Sequence, residues 1–317
     1  MDGLVGPVVL LAGGTGGAML ARGMLDLVGE QLTVIANTGD DVEIHGGYVS
    51  PDPDLILYRL ADLIDERGFG LRDDSFAVMD GLRALGAEVW FGLGDRDLAV
   101  CIDRARRLAA GQRLTEAQTA LARALGVRAR VLPMSDQRVR TRVRVSGRWH
   151  DLQEFLIRVP GGAPVEDVAF TGAASAAPTA EVLAAIRAAG AIVIGPSNPI
   201  ISIGPILALP GIREALTTAP APVVAVSPLV RGRALKGPTE RFLQWAGHAR
   251  SATGVAACYH GVIDGLVADE AVDEAVDGIP VHQTDVLMSD GPSQRRLADE
   301  TLRFAATLEP SRLAMTS

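Results

Sequence analysis

The chain has 317 residues, 48% hydrophobic but only 4% aromatic, with 35 glycines and a formal charge of −8, so a large core of small aliphatic side chains is expected. This composition excludes disordered, collagen-like and disulfide-framework classes. An excess of 38 acidic over 30 basic residues, with no basic run longer than two, offers no footprint for a nucleic-acid backbone.

Met1 leads into Val8–Ala12 without a charged segment, a long apolar segment or a cleavage pattern. The expectation is therefore no signal peptide, no membrane span and a cytoplasmic protein. Cys101 and Cys258 stand far apart and outside any metal spacing, which points to a reducing compartment and ordinary burial.

Val8–Ala12 reads as a strand buried on both faces. Gly13, Gly14, Thr15, Gly16 and Gly17 follow it, before a helical pattern over Ala18–Val28. Glycines there permit a sharp turn and bring backbone N–H groups close to an anion at a helix N-terminus. The pattern is neither a Walker A motif nor a strict G-x-G-x-x-G, so a nucleotide loop stands beside a plain strand-to-helix turn. After the strand Leu32–Ala36 come Asn37-Thr38-Gly39-Asp40-Asp41 and Ser50-Pro51-Asp52-Pro53-Asp54, then a helical pattern over Leu55–Glu66. Carboxylates gathered at a sheet edge suit Mg²⁺. The plainer alternative makes Asp54 a helix cap and Asp52 a turn residue.

Further helical patterns cover Leu98–Ala110 and Thr115–Leu125, and they suggest a helical insertion over residues 55–126 between core segments 1–54 and 127–317. Within it, Gly94-Asp95-Arg96-Asp97 opens a helix; Asp95 or Asp97 can cap it, and Arg96 has the forked geometry that phosphate oxygens favour. Val127–Arg158 alternates and turns at Ser146-Gly147 like a hairpin. Beyond the helix Thr179–Ala189 and the strand Ala191–Gly195, prolines stiffen a loop that displays Ser197 and Asn198. The strand Pro222–Val226 is followed by Lys236 in Ala234–Pro238, then by helical patterns over Thr239–Ala252 and Ser293–Thr307. Strand, loop and helix in repeated alternation imply an α/β, Rossmann-like, doubly wound and mostly parallel sheet. The five histidines show no ligand spacing and no serine is framed as G-x-S-x-G. The remaining equipment suits phosphoryl-linked transfer.

Eight motifs in this order, from Gly13–Gly17 through Asn37–Asp41, Ser50–Asp54, Gly94–Ala99, Pro133–Asp136, Gly195–Pro199 and Ser202–Leu207 to Ala234–Pro238, closely resemble the 2-phospho-L-lactate transferase family of coenzyme F-420 biosynthesis. The resemblance covers nearly the whole chain. It implies Mg²⁺-dependent transfer of a phospho-organic acid from a GDP-activated donor to the deazaflavin 7,8-didemethyl-8-hydroxy-5-deazariboflavin, with release of GMP, by a homodimer. It further implies that Asp40 and Asp54 hold the metal, that Asp54, Asp95 and Arg96 face the deazaflavin, and that Gly13–Gly17, Ser197, Asn198 and Lys236 hold the nucleotide. Catalysis would rest on Asp40, Asp54 and Arg96. Pro53 departs from the leucine usual in the family and biases Asp52 toward an extended conformation. Few rings are available for stacking, so backbone and aliphatic surfaces are expected to hold the bases. The alternatives are a non-catalytic nucleotide-sugar-binding regulator of the related gluconeogenesis-factor type and a Rossmann oxidoreductase.

Overall fold

The computed structural model describes residues 6–235, 237–270 and 278–310. Its central sheet has seven strands: β1 (Val8–Ala12), β2 (Leu32–Ala36), β3 (Arg130–Pro133), β4 (Ala191–Ile194), β5 (Val223–Val226), β6 (Gly265–Ala268) and β7 (Val281–Gln283). They lie side by side in the order β7-β6-β5-β4-β1-β2-β3, and every pairing is parallel. Val8 of β1 sits opposite Leu32 on one side and Ala191 on the other. The winding direction therefore reverses between β1 and β4, where a doubly wound sheet opens a crevice at its carboxyl edge.

Successive residues of β1 enter two different cores. Val9 and Leu11 pack with Ile35, Ile192 and Ile194, while Val8, Leu10 and Ala12 pack with Met24, Val34 and Val193. Burial of both faces is what makes these strands unbroken apolar runs in the sequence. Each buried Val, Leu or Ile side chain contributes about 1.5–3 kcal/mol. The expected Rossmann-like α/β architecture is thus the one found.

The helices begin earlier than their apolar periodicity suggests. α1 spans Gly14–Val28, α2 Pro51–Leu60, α3 Ala77–Ala84, α4 Asp95–Ala109, α5 Leu114–Ala124 and α6 Leu152–Arg158. The expected starts at Ala18, Leu55 and Leu98 are corrected to Gly14, Pro51 and Asp95. The N–H groups of a first turn have no intrahelical acceptor, so glycine, proline and aspartate are tolerated there. Asp52 accordingly lies in the first turn of α2, not in an extended segment. The expected helix Thr239–Ala252 is two: Thr239–Trp245 stops before Gly247 at φ +75°, and Ala252–Cys258 restarts after the Ser251 cap.

Val127–Arg158 also divides. Arg130–Pro133 joins the main sheet as β3, while Arg140–Val145 and Arg148–Asp151 form the hairpin around Ser146-Gly147. Asp167–Thr171 pairs with the other edge of Arg140–Val145, giving a three-stranded antiparallel sheet that carries α6. Among the described residues, no single helix is long and apolar enough to cross a membrane.

Candidate active site

A cleft of about 790 Å³ opens at the carboxyl edge of the sheet, over the reversal between β1 and β4. The turn after β1 and the loop after β4 form its floor as one clasped unit. Gly13 N–H donates to Ser197 Oγ at 3.1 Å, and that hydroxyl donates back to the Gly13 carbonyl at 2.6 Å. A Cβ on Gly16 would lie 2.1 Å from the Pro196 carbonyl oxygen, so only glycine lets the loop approach α1 this closely. Gly14 instead needs its conformation, φ +63° at the first residue of α1. Gly13, Gly14, Thr15, Gly16, Ser197 and Asn198 line the cleft. Gly17 lies deeper, against Ala12 and Ser197.

The anion at the start of α1 is a side chain of the protein. Asp52 Oδ1 accepts the Gly14 N–H at 2.6 Å, and Asp52 Oδ2 accepts Asn37 Nδ2 at 2.9 Å. Asn37 reaches Asp40 Oδ1 more weakly, at 3.5 Å, while Gln153 Nε2 donates to Asp40 Oδ2 at 2.8 Å. These partners are all uncharged. Burial, reinforced by Asp52 and Asp41, holds the Asp40 carboxyl well above the usual carboxylate range. Burial likewise pushes Asp52 to about 6 and Asp41 to about 7. Asp41 accepts the Ser50 hydroxyl at 2.7 Å through Oδ1, and its buried Oδ2 has no hydrogen-bond partner.

Asp54 has a cation of its own. Both guanidinium ends of Arg104 grip its carboxylate, Nη1 meeting Oδ2 at 3.0 Å and Nη2 meeting Oδ1. Arg104 comes from α4, is 0% exposed and also donates to the Tyr48 carbonyl at 2.9 Å. Burial raises the Asp54 pKa and Arg104 opposes that rise. Asp97 completes the acidic lining; it accepts the Tyr58 hydroxyl at 2.7 Å, and burial beside Asp54 raises it to about 6. Carboxylate oxygens of Asp54 and Asp97 lie within 4.8 Å of each other and of the Cys101 sulfur.

Asp40 and Asp54 therefore stand in one cleft with Gly13–Gly16, Ser197 and Asn198, as the sequence suggests. Asp95 and Arg96 point elsewhere. The Asp95 carboxylate accepts the Ser75 hydroxyl at 2.6 Å and the Ala77 and Val78 N–H groups, which secures the start of α3. Arg96 is exposed and donates to the Arg72 carbonyl at 3.0 Å. Lys236 lies outside the described residues. The expectation of a ring-poor site needs correction: Tyr58, Phe69, Phe76 and Phe91 all line the cleft. Phe69 stays 61% exposed, with the Arg67 guanidinium over its ring at 5.2 Å. Sequence reasoning also missed Arg104 and Gln153 as partners of the acids. An available signal was the arginine in register with Leu98 and Cys101 on the buried face of α4.

These shifts set a direction for stability. A carboxylate whose pKa is raised by folding supports the fold below its unfolded value, near 4. That support is lost as pH climbs through the folded value, about 6 for Asp52 and Asp97 and about 7 for Asp41. Without divalent cations the protein is expected to melt at a lower temperature at pH 8 than at pH 5. Differential scanning fluorimetry in chelator checks this; a melting temperature that rises from pH 5 to pH 8 would contradict it.

Residues 8–290 match the family model described as 2-phospho-L-lactate transferase CofD. The chain is 40% identical to a protein from Kitasatospora aureofaciens called phosphoenolpyruvate transferase, over 94% of this chain and 97% of that one. It is 37% identical to one from Methanocaldococcus jannaschii called 2-phospho-L-lactate transferase, over 95% of this chain and 99% of that one. A solved structure of a UPF0052-family protein from Bacillus halodurans shares the fold, with a TM-score of 0.61 at 18% identity, covering 93% and 99% of the two chains. Sequence match and sheet architecture agree along nearly the full length, and the chain belongs to the 2-phospho-L-lactate transferase CofD family, as a transferase.

Proposed function

We propose that the enzyme acts in coenzyme F-420 biosynthesis, moving a phospho-organic acid from a GDP-activated donor to the ribityl hydroxyl of 7,8-didemethyl-8-hydroxy-5-deazariboflavin and releasing GMP. The observation that carries this reading is a cleft with two unlike walls around buried acids. The floor is a helix N-terminus clasped to the Ser197 loop; Asp52 takes its Gly14 N–H, and the remaining first-turn N–H groups suit the phosphates of a nucleotide. The outer wall is apolar: Phe69, Phe76, Leu156 and Ile157 stay exposed while lining the same space, a surface for a flat tricyclic ring.

The donor set fits Mg²⁺. Asp40 and Asp52 present hard oxygens whose partners are two amides and a backbone N–H, so their charge has no cation to meet. In this proposal Asp40 and Asp54 hold the metal, with Asp52 alongside. Bound Mg²⁺ supplies neutralisation of the diphosphate and of the departing GMP phosphate. The Arg104 clamp fixes the direction of the Asp54 oxygens. Thr15, Gly16, Ser197 and Asn198 orient the guanosine diphosphate end, and the apolar wall orients the ring so that the ribityl hydroxyl lies in line with the reacting phosphorus. Arg96 enters as a rim residue that must leave the Arg72 carbonyl to meet the acceptor. The expected homodimer belongs to the same proposal.

Purified enzyme given Mg²⁺, the deazaflavin and the GDP-activated donors of phospholactate, phosphoenolpyruvate or phosphoglycerate is expected to release GMP with at least one donor, read by chromatography. Competition among the donors then identifies the acid. Bound deazaflavin with no GMP from any of the three would overturn the proposal.

A further inference from the structure

The carboxylates proposed to hold the cation are each gripped by a side chain from outside the glycine and aspartate motifs, and the two grips differ in charge. Asp54 is met by a guanidinium, that of Arg104. Asp40 is met by an amide, that of Gln153, 113 residues further along the chain. Asn37 is the other amide within reach, but its Nδ2 is 2.9 Å from Asp52 and 3.5 Å from Asp40. Gln153 is therefore the close donor to Asp40.

Gln153 is held firmly enough to direct a carboxylate. It lies in the first turn of α6 between Leu152 and Phe155, which are buried with Val143, Val145, Ile201 and Phe242. Phe155 and Phe242 meet edge to face, their ring centres 5.8 Å apart. That cluster pins α6 both to the antiparallel sheet and to the segment following Asn198, whose side chain accepts the Ile201 N–H at 3.2 Å. The other side of α6 looks into the cleft, where Gln153, Leu156 and Ile157 all contribute to the lining. Behind Asp40 a second cavity of about 170 Å³ is also bounded by Asp40 and Gln153, so their hydrogen bond forms part of the partition between the two spaces.

We propose that Gln153 is a positioning residue that fixes the Asp40 carboxylate for the divalent cation without neutralising it. The inference rests on Asp40 being a cation-holding group, as argued above. Asp54 is already charge-paired with Arg104, so an arginine on Asp40 as well would leave the pair of carboxylates no net charge for a cation; an amide supplies direction and leaves the Asp40 charge uncompensated. Hydrogen-bond donors behind metal-holding carboxylates orient them in this manner, and their loss costs about 10–100-fold in metal affinity.

Calorimetric titration of the full-length enzyme with Mg²⁺, in the absence of substrates, provides the test. Gln153→Met keeps the length of the side chain and removes its donor; it should weaken Mg²⁺ binding by about 10–100-fold while melting without Mg²⁺ within a few degrees of the wild type. Gln153→Arg should abolish the Mg²⁺ heat and raise the melting temperature in chelator. Wild-type affinity in Gln153→Met, with binding lost in Asp40→Asn, would overturn the role of Gln153 and leave the reading of Asp40 intact. Undiminished binding in Asp40→Asn would overturn both.

Discussion

Replacing Arg104 by Met is expected to cost about 3–5 kcal/mol of stability. Among the described residues Arg104 is the largest side chain fully shielded from solvent, and Asp54, whose carboxylate it grips, is 4% exposed. Removing the guanidinium strands a carboxylate in a site that already pushes its pKa upward. The pair is weak evidence of net stabilisation, because replacing both charges by apolar groups can be neutral, whereas removing one leaves the other unpaired. Arg104→Met with Asp54→Leu should therefore recover most of the loss. The deficit of the single variant should shrink from pH 8 to pH 5, as the orphaned Asp54 takes up a proton. Urea unfolding of the three proteins measures each step. A single-variant loss below about 1 kcal/mol, the range of a surface pair, would show that the clamp contributes little.

Asp40→Asn should move activity and stability in opposite directions. With Asp40 holding the cation as proposed, its loss removes several kcal/mol of transition-state stabilisation, which is about 100–1000-fold in rate. The same change should make the protein without Mg²⁺ more stable at pH 8. Burial, with Asp52 and Asp41 beside it, disfavours the ionised Asp40 carboxyl in the fold, and an amide removes that penalty while still filling the space. GMP release and melting temperature, measured on the same preparation in Mg²⁺ and in chelator, check the pair of signs. A variant retaining more than a tenth of wild-type turnover, or one that melts lower in chelator, would contradict this account.

Legibility in the sequence followed the physics of each element. β1, β2, β4 and β5 are buried on both faces and announce themselves as apolar runs. β3, β6 and β7 were not anticipated. β3 and β7 lie at the sheet edges and carry polar residues such as Arg130 and His282, and β6 opens on Gly265, which leaves only Leu266, Val267 and Ala268 as an apolar run before Asp269. The acids of the site were visible because they cluster within fifteen residues, from Asp40 to Asp54. Their counterparts were not. Arg104 and Gln153 reach the acids across 50 and 113 residues, separations that no local periodicity encodes. Glycine was read as an accommodation to a ligand, yet at Gly16 it accommodates the Pro196 carbonyl of a neighbouring loop. The scarcity of aromatic residues was real, but composition says nothing of where the few rings gather.

The clasp between Gly13 and Ser197 has a consequence for motion. It joins the loops of two strands that are neighbours in the middle of the sheet, so their amides should exchange with solvent only when the sheet itself unfolds. α3 buries only Met79, and Phe69 stands largely in solvent. Amides there should open locally and exchange far sooner. The acids are thus presented from a floor expected to outlast the part of the wall that carries Phe69 and Phe76.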